Sequence, residues 1–401
     1  MNSVFRKASA GVLAAALSLG GLSAARAEDS QTLQNLRLHM LDDGVSVLAM
    51  RHMDEIFDSR SVAAGKTVWQ LPTDPRDLDV TYEFEGKIHT PEEFFERTYT
   101  NAFLVIKNGK IVYEKYRNYS KPDSRFMAYS MSKSITSTLI GIAIAEGKIK
   151  SVDDQIVTYV PWLKGSEYDG VTIKQALMMR SGIDYSDDYD FAKPSLPAIL
   201  HMDTLVRGRI VLGELAKIVP RAYPAGTHFN YSTLETVVLG RVLASATGET
   251  ISDYMSERLW QPAGMETDGY WIMVGPPGKK LEFNGAGFNA RLRDYARFGL
   301  MMLNKGKANG KQVVPAGWVE EATQYKGSTE NQPGYQYQWW KVPGGTRAFM
   351  AVGLLGQYIF VDPDTDTVVV KLSHYPPGDD SKLSDEAVTF MKAVSAWTPG
   401  R

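Results

Sequence analysis

The chain has 401 residues, 44% of them hydrophobic and 22% charged, with a formal net charge of −2. That balance excludes a disordered or fibrous chain and suits a globular protein with a sizeable core. The absence of cysteine excludes disulfides, a thiolate nucleophile and a lipid-modified cysteine.

At the start, Arg6 and Lys7 precede an apolar run from Gly11 to Leu22, and Ala25-Arg26-Ala27 stands before Glu28. This pattern predicts a secretory signal cleaved after Ala27, hence an exported protein, periplasmic or secreted. The apolar run is too short to span a bilayer comfortably, so no stable membrane insertion is expected. Cleavage removes Arg6, Lys7 and Arg26 and takes the formal charge from −2 to −5. Nucleic acid is therefore a poor partner. The remaining length exceeds what one small core covers and predicts one large or two interleaved domains.

Residues 28–97 are polar and mixed, with a turn at Leu71-Pro-Thr-Asp-Pro75, and read as an irregular N-terminal wrap. Next, apolar, β-branched runs between Ala102 and Tyr116 flank Asn108-Gly109. A type I′ turn needs positive φ at both central positions, so this pattern predicts a hairpin. About 230 residues that read mostly helical follow, including Ser132 to Glu146 closed by Gly147, Thr172 to Met179, Leu234 to Thr247, and Arg293 to Leu303. Near the end, Tyr358–Val361 and Thr367–Leu372 flank Asp362-Pro-Asp-Thr-Asp366 as a second hairpin. Ser384, with Asp385 and Glu386 after it, predicts the start of a helix running to Trp397.

Strands thus sit at both ends of the chain. The expected fold class is α/β in the broad sense, that is α+β: an antiparallel sheet from residues 98–130 and 335–401, flanked by helices, with a mostly helical insertion over 131–334. No internal repeat and no low-complexity linker separates independent domains.

One stretch, Ala128-Tyr-Ser-Met-Ser-Lys-Ser-Ile135, carries the chemistry. The helix it opens is apolar on nearly every side, yet Lys133 stands in its first turn, against both burial and the helix dipole. One turn of helix brings Lys133 beside the hydroxyl of Ser130. A serine needs a base to become a nucleophile. A lysine serves as that base once burial lowers its pKa, and the helix N-terminus aims N–H groups at a developing oxyanion. The plain alternative is a serine N-cap followed by an unrelated lysine. A second hydroxyl able to share the proton is expected some 80 to 100 residues on, and Tyr231, after the Pro224-Ala-Gly226 turn, is the candidate.

Ser130-Met-Ser-Lys133, Gly147-Lys148 with Val152-Asp-Asp154 and Tyr159-Val-Pro161, Val171-Thr-Ile-Lys-Gln-Ala-Leu177 to Arg180-Ser-Gly-Ile183, Tyr231, and Arg293-Asp-Tyr-Ala-Arg-Phe-Gly299 occur in that order. From about residue 100 to the C-terminus the chain resembles the serine β-lactamase-like family, which includes class C β-lactamases, D-alanyl-D-alanine carboxypeptidases and esterases. Within it, Phe103-Leu-Val105, Ile183 to Tyr189, Gln338-Trp-Trp340, Gly356-Gln357 and Val370-Lys-Leu-Ser373 are similar to the 6-aminohexanoate-dimer hydrolase branch, which cleaves amides and esters.

The resemblance implies Ser130 as nucleophile and Lys133 with Tyr231 as the proton-handling pair. It also implies backbone N–H groups of Ser130 and Leu354 as the oxyanion hole, and Tyr189, Trp340, Thr233 and Gln357 as substrate contacts, with Trp340 on a mobile wall. Two departures from the class C pattern stand out: Thr233 replaces an asparagine, and Ala351-Val-Gly-Leu-Leu-Gly-Gln357 lacks the cation of Lys-Thr-Gly. Leu355 stands where the amidase branch has a histidine.

The expected activity is exported serine-dependent hydrolysis of a small amide or ester through an acyl-enzyme. A carboxylesterase, a D-Ala-D-Ala peptidase or β-lactamase, and an inactive binding or sensor protein are the other readings. No G-x-S-x-G elbow occurs, and the six histidines lack zinc-ligand spacing. No cofactor and no metal is required, and His228 reads as a structural hydrogen-bonding residue. The sequence sets no oligomeric state.

Overall fold

The computed structural model describes residues 29–42, 44–185, 187, 202–325, 334–344, 346–376 and 380–399. The expected signal segment and Tyr189 lie outside them.

Seven strands build one antiparallel sheet: β1 (Thr100–Lys107), β2 (Lys110–Tyr116), β3 (Tyr335–Gln336), β4 (Trp339–Lys341), β5 (Phe349–Gly353), β6 (Gln357–Asp362) and β7 (Thr367–Ser373). Their spatial order is β3-β4-β5-β6-β7-β1-β2, so the two ends of the chain meet where β7 pairs with β1. At the β1–β2 turn Asn108 and Gly109 have φ of 51° and 73°, and Lys107 faces Lys110. Positive φ at both positions is what a tight two-residue hairpin with right-twisted strands requires.

Every residue of β1 is buried, because the sheet is covered on both faces. Ala102, Leu104 and Ile106 point into one core, Phe103 and Val105 into the other. The first core is filled by α1 (Met131–Ala145), α2 (Thr233–Thr247) and α3 (Leu292–Leu303). Helix α3 approaches the sheet closely at Gly299, where a Cβ would stand 2.7 Å from Val368 and 2.8 Å from Ile359. On the opposite face, Phe390 of α4 (Asp380–Ala396) meets Phe94, Phe95 and Phe103.

Three features depart from the sequence expectation. The described residues between 29 and 97 are only partly irregular: they contain helices Gln31–His39 and Pro91–Arg97, the latter opened by a Thr90/Glu93 capping box. Strand Ser59–Val62, from the expected wrap, and Arg125–Met127, from the expected terminal-sheet part, join a second antiparallel sheet with Gly269–Val274, Leu281–Glu282 and Phe288–Arg291, which lie in what reads as the helical part. Finally, α4 begins at Asp380 rather than at a Ser384 cap, and Lys382 in the extra turn pairs with Glu85 at 2.7 Å. No helix among the described residues is long and apolar enough to cross a membrane.

Candidate active site

Strand Arg125–Met127 delivers the chain to Tyr129, whose φ of 46° is left-handed. An aromatic residue there is costly, on the order of 1–3 kcal/mol, and persists only where its surroundings impose it. The turn ends in Ser130, the N-cap of α1. From Met131 to Ala143 that helix is buried without interruption, as its all-round apolar pattern requires. Lys133 is therefore enclosed, with 1% of its surface exposed.

Among the described residues three polar partners surround its ammonium nitrogen. Nζ lies 2.8 Å from Ser130 Oγ, 2.8 Å from Thr233 Oγ1 and 3.0 Å from the carbonyl oxygen of Gly285. Gly285 can come this close because it lacks a side chain; a Cβ would stand 2.6 Å from Thr233 Cγ2. Burial lowers the Lys133 pKa to about 8, while the carboxylate of Asp187, 4.0 Å away, pulls it upward. Near neutrality a usable fraction is thus neutral amine, able to take a proton from Ser130.

Tyr231 stands at the entrance to α2, its ring centre 5.0 Å from Lys133 Nζ. Burial holds its phenol above the ordinary tyrosine range, and a hydrogen bond with Ser130 acts in the opposite direction. The structure therefore gathers Ser130, Lys133 and Tyr231 around one point. The direct polar contacts of the lysine are with Ser130, Thr233 and Gly285.

The turn after β5 closes the other side. A Cβ on Gly353 would stand 2.2 Å from the carbonyl oxygen of Ala128, so only glycine lets the end of β5 lie against the start of α1. Leu354 follows, then Leu355 and Gly356 with φ of 59° and 87°.

Two residues expected to contact substrate are hydrogen-bonded to protein partners. Gln357 is 1% exposed; its Nε2 donates to the carbonyls of Leu355 at 3.0 Å and Ser373 at 2.8 Å, and its Oε1 accepts from Ser373 N at 3.1 Å. Its amide braces the turn from within. Thr233 accepts from Lys133 and donates to Asp187 Oδ2 at 2.6 Å, so its hydroxyl is committed inside the site.

Trp340 lies at the site: its ring is 5.6 Å from Tyr231 and 4.7 Å from Tyr335, with Phe229 next to it. The β3–β4 turn behind it is pinned, Gln338 accepting from Ser134 of α1 at 2.6 Å and from Thr236 of α2 at 3.1 Å. His228 bonds Thr227 Oγ1 at 2.8 Å and stacks on Tyr223.

Asp187 and Glu235 went unnoticed in the sequence. Glu235, on α2 with 1% exposure, accepts from Ser181, and burial pushes its carboxyl up to about 8. Asp187 also accepts from Thr233 N at 2.9 Å. Its only sequence signal is an acid-rich run beginning at Asp184, which does not say which acid turns inward.

Residues 95–390 match the family model described as Beta-lactamase. The chain is 34% identical over 303 residues to the 6-aminohexanoate-dimer hydrolase of Paenarthrobacter ureafaciens, covering 72% of this chain and 76% of that protein. A solved structure from Bacillus anthracis named "Putative 6-aminohexanoate-dimer hydrolase" superposes with a TM-score of 0.80 at 25% identity, over 89% of this chain and 95% of that one. A penicillin binding protein from Bacillus halodurans shares the fold, with a TM-score of 0.60 at 17% identity over 76% and 99% of the two chains.

Proposed function

The chain belongs to the beta-lactamase family, and from that premise we propose that it is an exported serine hydrolase of the 6-aminohexanoate-dimer hydrolase type. Its substrates are small amides or esters, cleaved through an acyl-enzyme on Ser130. The observation that carries this reading is the 2.8 Å contact between Ser130 Oγ and a buried lysine whose pKa is lowered to about 8.

In the proposed cycle, neutral Lys133 accepts the Ser130 proton as Oγ attacks the substrate carbonyl. The tetrahedral oxyanion rests on the N–H groups of Ser130 and Leu354. Lys133 and Tyr231 return the proton to the departing amine or alkoxide, and the carbonyl re-forms as the acyl-enzyme. Water then attacks, giving its proton to the same pair, and Ser130 leaves with that proton restored. Lys133 and Tyr231 titrate as a coupled pair. Trp340 and Tyr335 support the reading as an aromatic wall beside Tyr231, and Tyr189 is assigned to the substrate side. Export rests on the signal pattern of residues 1–27.

The test uses purified protein with a p-nitrophenyl ester of a short acyl chain and with a fluorophosphonate. Turnover is expected in the wild type and a loss of at least about a thousandfold in Ser130→Ala, with the fluorophosphonate mass on the peptide holding Ser130. Retained turnover in that variant, or label elsewhere, rejects the assignment. An inert binding protein would show neither turnover nor label.

A further inference from the structure

A neutral lysine has two N–H groups and one lone pair, and only the lone pair can take the serine proton. Which way it points is decided by the other two neighbours. The Gly285 carbonyl can only accept, so one N–H is directed there, at 3.0 Å. The Thr233 hydroxyl could either donate to the amine or accept from it, and in the first case it would occupy the lone pair.

Asp187 removes that freedom. Its Oδ2 is 2.6 Å from Thr233 Oγ1, and an ionised carboxylate is acceptor-only, so the threonine proton points to Asp187. Thr233 Oγ1 is left to accept the second N–H of Lys133, at 2.8 Å. Both N–H groups are then assigned, and the remaining tetrahedral direction faces Ser130 Oγ at 2.8 Å.

The carboxylate itself is fixed by its surroundings. Thr233 N donates to Oδ1 at 2.9 Å, and Asp187 N donates to the Tyr231 carbonyl at 3.0 Å. The segment before it is clasped by Asn230 Nδ2, which donates to the carbonyls of Ile183 at 3.1 Å and Tyr185 at 3.0 Å, and by the Ser181–Glu235 bond.

We propose that Asp187 is the positioning residue of this site: through Thr233 it aims the lone pair of Lys133 at Ser130, and through its charge it sets the pH at which that lone pair becomes free. The inference rests on the serine-hydrolase reading above. Among the described residues the groups facing Lys133 are Ser130 on its own helix, Tyr231 and Thr233 at the entrance to α2, the Gly285 carbonyl and Asp187. Glu235, the other buried acid nearby, is turned to Ser181 and Tyr168 and is largely protonated at neutral pH. Among the described residues Asp187 is thus the carboxylate that bears on the lysine, and it favours the ammonium.

The experiment compares pH profiles of kcat/KM on the p-nitrophenyl ester for wild type, Asp187→Asn, Thr233→Val and Thr233→Ser. In Asp187→Asn the rising limb should move to lower pH, by about one to three units for the loss of an opposite charge this close, while the plateau falls about tenfold or more. Thr233→Val keeps the charge and removes the acceptor, so its plateau should fall similarly, with Thr233→Ser recovering most of the loss. Where turnover is too slow, the limb is read from the rate of fluorophosphonate labelling at Ser130. A reduced plateau with an unmoved limb in Asp187→Asn means a merely structural role and overturns the proposal. So does a Thr233→Val plateau equal to wild type, a result that stands even if Asp187→Asn fails to fold. Wild-type protein with neither turnover nor label fails the hydrolase reading; an active wild type with an unmoved limb fails this inference alone.

Discussion

Replacing Gly353 with alanine tests whether the junction between β5 and α1 sets the proposed oxyanion hole. The added methyl carbon would start 2.2 Å from the Ala128 carbonyl oxygen and 3.0 Å from Gln357 Cβ. Ordinary contact begins near 3.4 Å, so β5 and the start of α1 must separate by about 1 Å, a displacement that can cost roughly a hundredfold in rate. Ser130 rides on one side of that gap and Leu354 on the other. Losing one oxyanion donor typically costs about 100- to 1,000-fold in kcat, or about 3–4 kcal/mol of transition-state stabilisation. We expect a kcat loss in that range on the p-nitrophenyl ester with KM changed far less, because ground-state binding does not use the hole. Overpacking should also lower stability, by about 1–3 kcal/mol. Gly317→Ala is the control: nothing lies within 4 Å of that position, which sits inside helix Ala316–Thr323, and it should be neutral to slightly stabilising. A Gly353→Ala enzyme within about threefold of wild-type kcat would refute the reasoning.

For the wild type, kcat/KM should rise with pH to a plateau entered near pH 8, because Lys133 must lose its proton to act; a profile flat from pH 5 to 10 contradicts that role. Gln357→Leu should lower thermal stability by about 2–3 kcal/mol, since it removes the side-chain partner of the Ser373 carbonyl and of the Ser373 N–H, while the Leu355 carbonyl keeps Tyr375 N at 3.2 Å; calorimetry reads the change. Glu235 has its folded pKa raised from 4.5 to about 8, so its stabilising contribution is complete below pH 4.5 and lost as pH rises through about 8. Glu235→Gln should consequently gain melting temperature relative to wild type at pH 9 compared with pH 5, and an equal difference at both values would be wrong for a buried acid. Finally, with no cation in residues 351–357, nitrocefin should be hydrolysed roughly tenfold or more below what an enzyme with that contact achieves; efficient nitrocefin turnover would show that another group holds the carboxylate.

What the sequence made legible was local. Ser130 and Lys133 are one helical turn apart, so their meeting follows from helix geometry alone. The Asn108-Gly109 turn carries its own conformational demand in two residues. The second sheet was hidden because its strands are short and drawn from positions between Ser59 and Arg291, with no pattern in any one window to announce them. Asp187 was hidden for a related reason: its meaning is its distance to Thr233, a residue 46 positions away. Thr233 and Gln357 were placed near the site by resemblance, but proximity does not say which way a polar group turns. Both turn toward protein partners, because buried polar atoms are costly without them.

The order of strands in the large sheet also has a bearing on how the molecule is made. Lys107 at the end of β1 bonds Thr367 at the start of β7, 260 positions later. At ribosomal speeds that interval lasts on the order of tens of seconds, during which the first hairpin has no neighbour on its β1 edge. Contacts this distant slow folding, and an unpaired apolar strand invites aggregation. Such a layout favours closing the sheet only once the last strand has been made. A polypeptide stopped short of Ser373 would be an unclosed sheet, not a smaller hydrolase.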